Sequence, residues 1–145
     1  MTRSTSTSTM SAARMDELIE RHIDAEISGD PAAAVAVYTD DVVHDVVGWP
    51  TGPVTGVAAA QTFYEQLISV FDNERMEVTW SKHGDGFCVV EHETTGTFSG
   101  PFMGVPGNGR RATFRMLHVF EFRDDRICCE RVWLDGGAII GQLTA

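Results

Sequence analysis

The chain has 145 residues, with 11 Lys and Arg against 21 Asp and Glu, which gives a formal net charge of −10 at pH 7. A chain of this length buries about 70% of the surface that its unfolded form exposes, so it can build one domain with a sizeable core but not two. The acidic balance argues against binding to nucleic acid or to an anionic membrane, because both partners require clustered positive charge.

The sequence offers neither a membrane segment nor a disulfide framework. No run of 18 apolar residues exists, and the first ten residues contain no apolar stretch typical of a signal peptide, so we expect a cytoplasmic location. Cys88, Cys128 and Cys129 are odd in number, and two of them are adjacent, so no C-x-x-C spacing is possible. We expect three small buried hydrophobic residues and no structural zinc.

The first half of the chain predicts a short tail followed by helices. Residues 1–10 are rich in Ser and Thr and predict a disordered tail, so the single domain is expected over 11–145. Apolar residues recur at helical spacing over 15–27 and stop at Gly29, which is typical of a left-handed helix cap.

Two more helices are expected before the strands begin. An Asp-Pro pair opens a short helix over 30–38, because Asp suits the N-cap and Pro suits the first helical position. The β-branched segment 41–47 predicts a strand that enters a Gly/Pro loop. Residues 57–71 carry the strongest helical stripe in the chain.

Strand-forming segments fill most of the second half. Alternating or β-branched residues predict strands over 76–80, 87–98, 111–123 and 126–135, with a Gly/Pro loop over 99–109 and a final helical turn. Three helices followed by antiparallel strands indicate an α+β fold, a cone-shaped curved antiparallel sheet (an α+β barrel) with the helices packed over an internal cavity.

One histidine interrupts an apolar strand face. His118 shares a face with Phe114, Met116, Phe120 and Phe122, so it is either a core histidine bonded to a backbone carbonyl or part of a site.

The turn between the last two strands decides which residue lies opposite His118. If Asp124 and Asp125 form a two-residue turn, His118 lies opposite Arg131, Met116 opposite Trp133 and Phe114 opposite Asp135. A slip of one residue would turn Asp135 away and bring Val132 in instead. Asp135 can alternatively cap the final helical turn.

Two further polar residues lie among apolar neighbours. His22 falls on the apolar face of the first helix, where a polar residue needs a partner or a function. In the first strand either His44 or Asp45 faces inward, and Asp45 shares its face with Val43 and Val47. A carboxylate among valines would be desolvated and would become a stronger base, whereas at a strand end it would be an ordinary solvated acid.

The segments PFMGVPGNGRRATFRMLHVFEFRDDRI and ERVWLDGGAIIGQL, with the order of elements, resemble the SnoaL-like polyketide cyclases of the nuclear-transport-factor-2-like superfamily. This resemblance implies a cone-shaped barrel, commonly a homodimer, with a cofactor-free acid/base site inside. Cyclases of this family carry an essential Asp in the last strand. Here Val132 holds that place and the nearest acid is Asp135.

A second resemblance, to the ketosteroid isomerases, concerns the segment VHDVVG and the later Phe63-Tyr64 pair. Asp45 matches the catalytic base of those isomerases. Their two oxyanion donors fall on His22 and His118 in this chain, and an imidazole can also donate a hydrogen bond to a developing enolate.

These observations give a hypothesis of a small-molecule enzyme without cofactor or metal. Asp45 would abstract a proton next to a carbonyl, His118 and His22 would stabilise the enolate, and Asp135 would relay or orient. The substrate would be a flat, largely apolar polyketide, steroid or terpenoid. Its expected contacts are Trp49, Phe63, Phe114, Met116, Phe120, Arg131 and Trp133.

Two alternatives remain open from the sequence. Arg131, Asp135 and Asp45 could approximate the Asp-Arg-Asp set of epoxide hydrolases that resemble limonene-epoxide hydrolase. The chain could also be a non-catalytic module for small-molecule binding or association.

Overall fold

A computed structural model describes residues 9–145 of the chain. The predicted tail over 1–10 therefore lies mostly outside the described residues. Within it, Thr9 is exposed, whereas Met10 is partly buried and packs against the core. No helix in the described range is long and apolar enough to cross a membrane.

The described residues form four helices and one six-stranded sheet, which confirms the predicted α+β class. The fourth helix replaces the expected final turn. The helices are α1 (Ala12–Ser28), α2 (Pro31–Val35), α3 (Val57–Val70) and α4 (Gly136–Leu143). The strands are β1 (Tyr38–Val46), β2 (Val54–Thr55), β3 (Phe71–Gly84), β4 (Phe87–Phe98), β5 (Arg110–Arg123) and β6 (Arg126–Leu134).

Local capping explains where the first two helices lie. The Ser11 side chain accepts a hydrogen bond from the Arg14 backbone at the start of α1, and Gly29 ends that helix with φ 73°. The Asp30 side chain caps α2 in the same way. Helix α2 is shorter than predicted because Tyr38 already belongs to β1, where it pairs with β6.

The strand order is β2-β1-β6-β5-β4-β3 in a curved, unclosed sheet. All neighbours are antiparallel except β1 and β6, which run parallel. Asp124 and Asp125 both have positive φ values, of 54° and 60°, so they form the predicted two-residue turn between β5 and β6.

A β-bulge shifts the register of β5 and β6 by one residue. Phe122 pairs with Ile127, but Glu121 pairs with Cys129, so Cys128 is an extra residue on β6. Beyond the bulge His118 pairs with Val132, and the predicted pairing of His118 with Arg131 is wrong. The face of β6 that carries Glu130 and Val132, and not the face that carries Arg131 and Trp133, therefore points towards the helices.

The core has two parts that meet at the inner face of the sheet. One part joins α1, α2 and α3 to β1, the start of β4, the end of β5 and the start of β6. The other joins α4 to the start of β3, the end of β4 and the start of β5. The three cysteines are free, with Cys88 and Cys129 buried as expected and Cys128 only half-buried.

Gly96 in β4 leaves no room for a side chain. An alanine Cβ there would lie 2.4 Å from the Phe71 ring and 2.5 Å from the backbone oxygen of Asp72. We expect Gly96→Ala to lower the free energy of unfolding by about 1–3 kcal/mol, measured by urea denaturation. Gly136→Ala is the control, because no atom lies within 4 Å of the added carbon. Equal stability of the two variants would contradict this packing.

Candidate active site

An internal cavity opens between the sheet, α3 and α4, and its lining divides into two kinds of residue. Most of the wall is apolar, with aromatic rings from Trp49, Phe63 and Phe102 among others. The polar lining comes from Glu26, His44, Tyr64, Asn73, Thr94 and His118. The free volume is about 60 Å³, which is room for a few water molecules. Ligand sites usually offer about 300–1,000 Å³, so a larger ligand requires side chains to move.

The carboxylate of Glu130 lies behind this polar end. Glu130 projects from β6 and has no exposed surface. The hydroxyl groups of Tyr38 and Tyr64 both donate hydrogen bonds to its Oε2, the latter over 3.0 Å. Burial alone would raise the pKa of Glu130, but the positive charge of His22 beside it lowers that pKa well below its usual value. Glu130 is therefore an ionised carboxylate in the interior.

The cation that balances Glu130 is His22 on α1. Its Nδ1 donates to the backbone oxygen of Ala34 over 2.7 Å. Its Nε2 lies 3.1 Å from the Tyr64 hydroxyl, 3.3 Å from Glu26 Oε2 and 3.4 Å from Glu130 Oε1, all of which are oxygens. Burial opposes the charge, but Glu130 and Glu26 raise the pKa of His22 well above its usual value. Both nitrogens therefore carry protons.

His44 on β1 lines the cavity and has a free ring nitrogen. Its Nε2 lies 2.9 Å from the Tyr64 hydroxyl and 3.4 Å from Glu130 Oε2. Because Tyr64 gives its only hydrogen to the carboxylate, Nε2 of His44 is the donor in their contact. Burial lowers the pKa of His44, so the ring is neutral. Its Nδ1 then has an unshared electron pair and receives no hydrogen bond within the described residues.

His118 and His92 form a neutral pair on β5 and β4. Their Nδ1 atoms are 3.2 Å apart, so one donates to the other. Nε2 of His118 lies 3.8 Å from Glu130 Oε1, and its ring stacks on Phe120. Burial lowers the pKa of His118 to about 3 and that of His92 to about 4. Nδ1 of His118 is therefore bonded to His92, whereas its Nε2 has only the long contact with Glu130.

Two further polar side chains at the cavity have few hydrogen-bond partners. Glu26 on α1 contacts His22 through Oε2, and burial raises the pKa of its carboxyl group although His22 opposes this. Oδ1 of Asn73 is buried and receives no hydrogen bond from residues 9–145. These groups can accept or donate hydrogen bonds to a ligand.

Comparison with protein families matches residues 19–130 to the SnoaL-like domain. The chain belongs to this SnoaL-like family. The family resemblance seen in the sequence is thus confirmed. A comparison with curated proteins gave no significant sequence match.

Solved structures with the same fold cover nearly the whole SnoaL-like chain. A proposed polyketide cyclase from Xanthomonas campestris pv. campestris has 21% identity and a TM-score of 0.80, covering 90% of this chain and 97% of that one. TsrD from Streptomyces laurentii has 19% identity and a TM-score of 0.79, covering 92% and 97%. An LEH-like epoxide hydrolase from M. tuberculosis has 17% identity and a TM-score of 0.72, covering 91% and 90%. At these identities the likeness establishes the fold.

Several residues expected at the site of this SnoaL-like chain do meet there. Trp49, Phe63, Phe114, Met116 and His118 line the cavity. His22 lies directly behind them, in contact with Glu130 and Tyr64.

Other expected residues lie away from the cavity. Asp45 is half-buried on the opposite face of β1, because alternation turns His44 inward, so its expected place facing the pocket is corrected. The bulge puts Arg131 and Trp133 on the outer face of the sheet, where Arg131 pairs with Glu121. Asp135 is exposed and caps α4 through a hydrogen bond from the Ala138 backbone.

Phe120 and the Asp-Arg-Asp set are also placed differently from the expectation. Phe120 is fully buried beneath His118 as part of the core and does not line the cavity. Asp45, Arg131 and Asp135 are all absent from the cavity wall, so they do not form an epoxide-opening set there.

Sequence reasoning missed Glu130, Glu26, Tyr38, Tyr64 and His92 as interior polar residues. Glu130 carries a usable signal, because Val132 and Leu134 follow it at spacing two and give an apolar stripe that ends in a carboxylate. The alternative stripe through Arg131 and Trp133 obscured it.

One cluster outside the cavity could hold a cation. Ligand atoms of Asp16, His83 and Cys88 lie within 4.8 Å of one another, where α1 meets the hairpin of β3 and β4. Nε2 of His83 is 2.7 Å from Asp16 Oδ1, and burial raises the pKa of the Cys88 thiol to about 11. The His–Asp contact satisfies two of the three groups without a metal.

The buried neutral histidines should make the protein sensitive to mild acid. Below about pH 6.5 the unfolded chain protonates His92 and His118, whereas the folded protein does so only near pH 4 and 3. The free energy of unfolding should therefore fall, as pH drops from 6.5 towards 4, by about 1.4 kcal/mol per pH unit for each of the two histidines.

Urea denaturation at a series of pH values measures this slope. His118→Gln should reduce the slope by about 1.4 kcal/mol per pH unit, the contribution of one histidine. His83→Gln, on the surface, is the control and should leave the slope unchanged. An unchanged slope in His118→Gln would contradict the neutral state of the buried ring.

Proposed function

We propose that this chain is an acid/base enzyme that removes a proton from a small, largely apolar carbonyl compound, using its own side chains and no cofactor. The observation that carries the proposal is His44, a neutral histidine that lines the cavity and has one unoccupied nitrogen. Removal of a proton next to a carbonyl is the step shared by cyclisation, double-bond isomerisation and dehydration.

His44 takes the role of general base in this proposal, in place of Asp45. Its Nδ1 accepts the substrate proton while Nε2 remains bonded to Tyr64. The imidazolium that forms is stabilised by Glu130, whose Oε2 lies 3.4 Å from Nε2. This is the logic of a base oriented and stabilised by a buried carboxylate.

His22 and His118 act as positioning residues in the same proposal. His22 supplies the positive charge that keeps Glu130 ionised, and His118 lies 3.8 Å from the carboxylate. His22 has no ring nitrogen left for a ligand, and Nδ1 of His118 is taken by His92. In this proposal both histidines hold Glu130, in place of their expected role as direct enolate donors.

The lining supports a substrate with one polar end and a flat apolar body. Trp49 and Phe63 pack edge to face with ring centres 5.7 Å apart, and such a wall favours aromatic or alicyclic ligands. Asn73 Oδ1 offers an acceptor for a hydroxyl group of the ligand. Polyketide-like ketones fit this description.

Deuterium exchange tests the proposal without knowledge of the product. The protein is incubated in D₂O with a panel of aryl ketones, tetralones and β-diketones, and loss of the α-proton signal is followed by NMR. We expect catalysed exchange that His44→Gln slows by about 10²–10⁴-fold, because a general base contributes that much. Asp45→Asn is the matched control on the other face of the same strand, and its exchange rate should be unchanged.

Two results would count against an enzyme. Equal exchange by wild type and His44→Gln would exclude His44 as the base. Binding of the ketones without any catalysed exchange would instead favour a non-catalytic binding module. Thermal unfolding of each variant verifies that the fold is retained.

We also propose that the chain forms a homodimer through the outer face of its sheet. Trp80, Glu91, Leu117 and Trp133 lie in one row across four strands. Trp80 is 47% exposed and Trp133 41% exposed, which is unusual for large apolar side chains at a solvent-facing surface.

Analytical ultracentrifugation tests this assembly. We expect the wild type to sediment as a dimer and Trp133→Glu as a monomer, because the new carboxylate would replace an apolar contact and would have to be desolvated on association. Val78→Glu is the control, since Val78 is exposed but pairs with the inward-facing His92 on the other side of the sheet. A monomeric wild type would overturn the proposal.

A further inference from the structure

The buried cluster contains two carboxyl groups and only one clear cation. Glu26 and Glu130 both contact Nε2 of His22, at 3.3 and 3.4 Å. His22 is an imidazolium, because its two nitrogens face only oxygen acceptors. His44, with its lowered pKa, adds no compensating charge.

Of the two carboxyl groups, Glu130 is the one whose ionised form the surroundings stabilise more. Its Oε2 receives hydrogen bonds from the hydroxyls of both Tyr38 and Tyr64. Glu26 has His22 as its close partner within the described residues and only about a tenth of its side chain exposed. A second ionised carboxylate beside Glu130 would leave an unbalanced negative charge in the interior, which is costly.

Glu26 also reaches the ligand space. It lines the same cavity as His44, whereas Glu130 is shielded behind the wall. The route from Glu26 to His44 runs through His22 and Tyr64, each step being a contact of 3.3 Å or less. The cavity therefore presents a neutral base and a carboxyl group at one end.

Resting on the function proposed above, we propose that Glu26 is protonated in the resting protein and acts as the general acid that gives its proton to the oxygen of a carbonyl ligand held against His44. The proton removed from carbon goes to Nδ1 of His44, and the C–H electron pair forms the carbon–carbon double bond of an enol. The carbonyl π electrons move to oxygen, which takes the proton of Glu26. His44 becomes an imidazolium and Glu26 a carboxylate, so the net charge of the site is unchanged.

Glu26 supplies the general acid that the reaction needs beside His44 as the general base. Abstraction by His44 alone would create an enolate and an imidazolium in a largely apolar cavity, where a charged oxygen without a hydrogen-bond donor is strongly disfavoured. A neutral acid at the same end removes that charge as it forms. Opposite shifts of two titratable groups in one site are the usual basis for assigning an acid and a base.

Infrared difference spectroscopy tests the protonation state independently of any activity. We expect the wild type at pH 7 to show the C=O stretch of a protonated carboxyl group, shifted in D₂O, and Glu26→Gln to lack it. Glu20→Gln is the matched control, an exposed glutamate on the same helix, and should retain the band. Absence of the band in the wild type would overturn the inference, whether or not the protein exchanges ketone protons.

Binding of 4-nitrophenol tests the donor role without turnover, since its ionised oxygen mimics an enolate and its two forms absorb differently. We expect Glu26→Met to weaken binding by about tenfold, because methionine has no N–H or O–H to donate to the phenolate, and Glu20→Met to leave it unchanged. Equal binding by wild type and Glu26→Met would overturn the donor role.

Ketone exchange separates the inference from the proposed function. If the inference holds, Glu26→Gln slows α-proton exchange about 100-fold and Glu26→Asp restores part of it. Exchange lost in His44→Gln but unaffected in Glu26→Gln would overturn the acid while leaving the base in place. The same rate in wild type and His44→Gln would instead overturn the proposed function, and the infrared band would still decide the state of Glu26.

Discussion

The interior of this protein is organised around one carboxylate kept ionised without water. Glu130 has no exposed surface, so its charge depends on tyrosine hydroxyls, an imidazolium and neutral histidines drawn from different elements. Helix α1 brings His22, β1 brings Tyr38 and His44, and α3 brings Tyr64. Both tyrosine hydroxyls donate to Oε2, and Nε2 of His22 lies 3.4 Å from Oε1, which receives no hydrogen bond within residues 9–145. These contacts tie α1 and α3 to the strands that carry Tyr38 and Glu130. The cavity is the space left in front of this arrangement.

The elements were largely predictable because their signals are local. The cap at Gly29, the Asp-Pro start of α2 and the turn at Asp124 and Asp125 all rest on the conformational preferences of a few neighbouring residues. The parallel pairing of β1 with β6 joins distant parts of the chain and leaves no such local signal. His22 and His118 were predicted as site residues because each interrupts an otherwise apolar face.

The chemistry of the site was harder to predict, since it depends on which face of a strand points inward. In the segment VVHDVV, His44 and Asp45 have valine neighbours at the same spacings, so alternation cannot choose between them. On β6 the choice depends on a bulge that adds Cys128 to one strand only. A bulge of this kind is set by the pairing of two strands and not by a turn motif. Because of the bulge, Glu130 and Val132 face inward, where Arg131 and Trp133 were predicted.

The bulge has an evolutionary consequence. Deletion of the single codon for Cys128 would remove the bulge and leave Glu121 opposite Cys129 and Phe120 opposite Glu130, so the carboxylate would keep its inward face. If instead Cys128 stayed and paired with Glu121, the rest of β6 would turn over, and a guanidinium and an indole would replace the carboxylate in the interior. A relative whose β6 lacks the extra residue therefore aligns correctly only with a gap at Cys128, and an alignment without that gap would equate residues from opposite faces of the sheet.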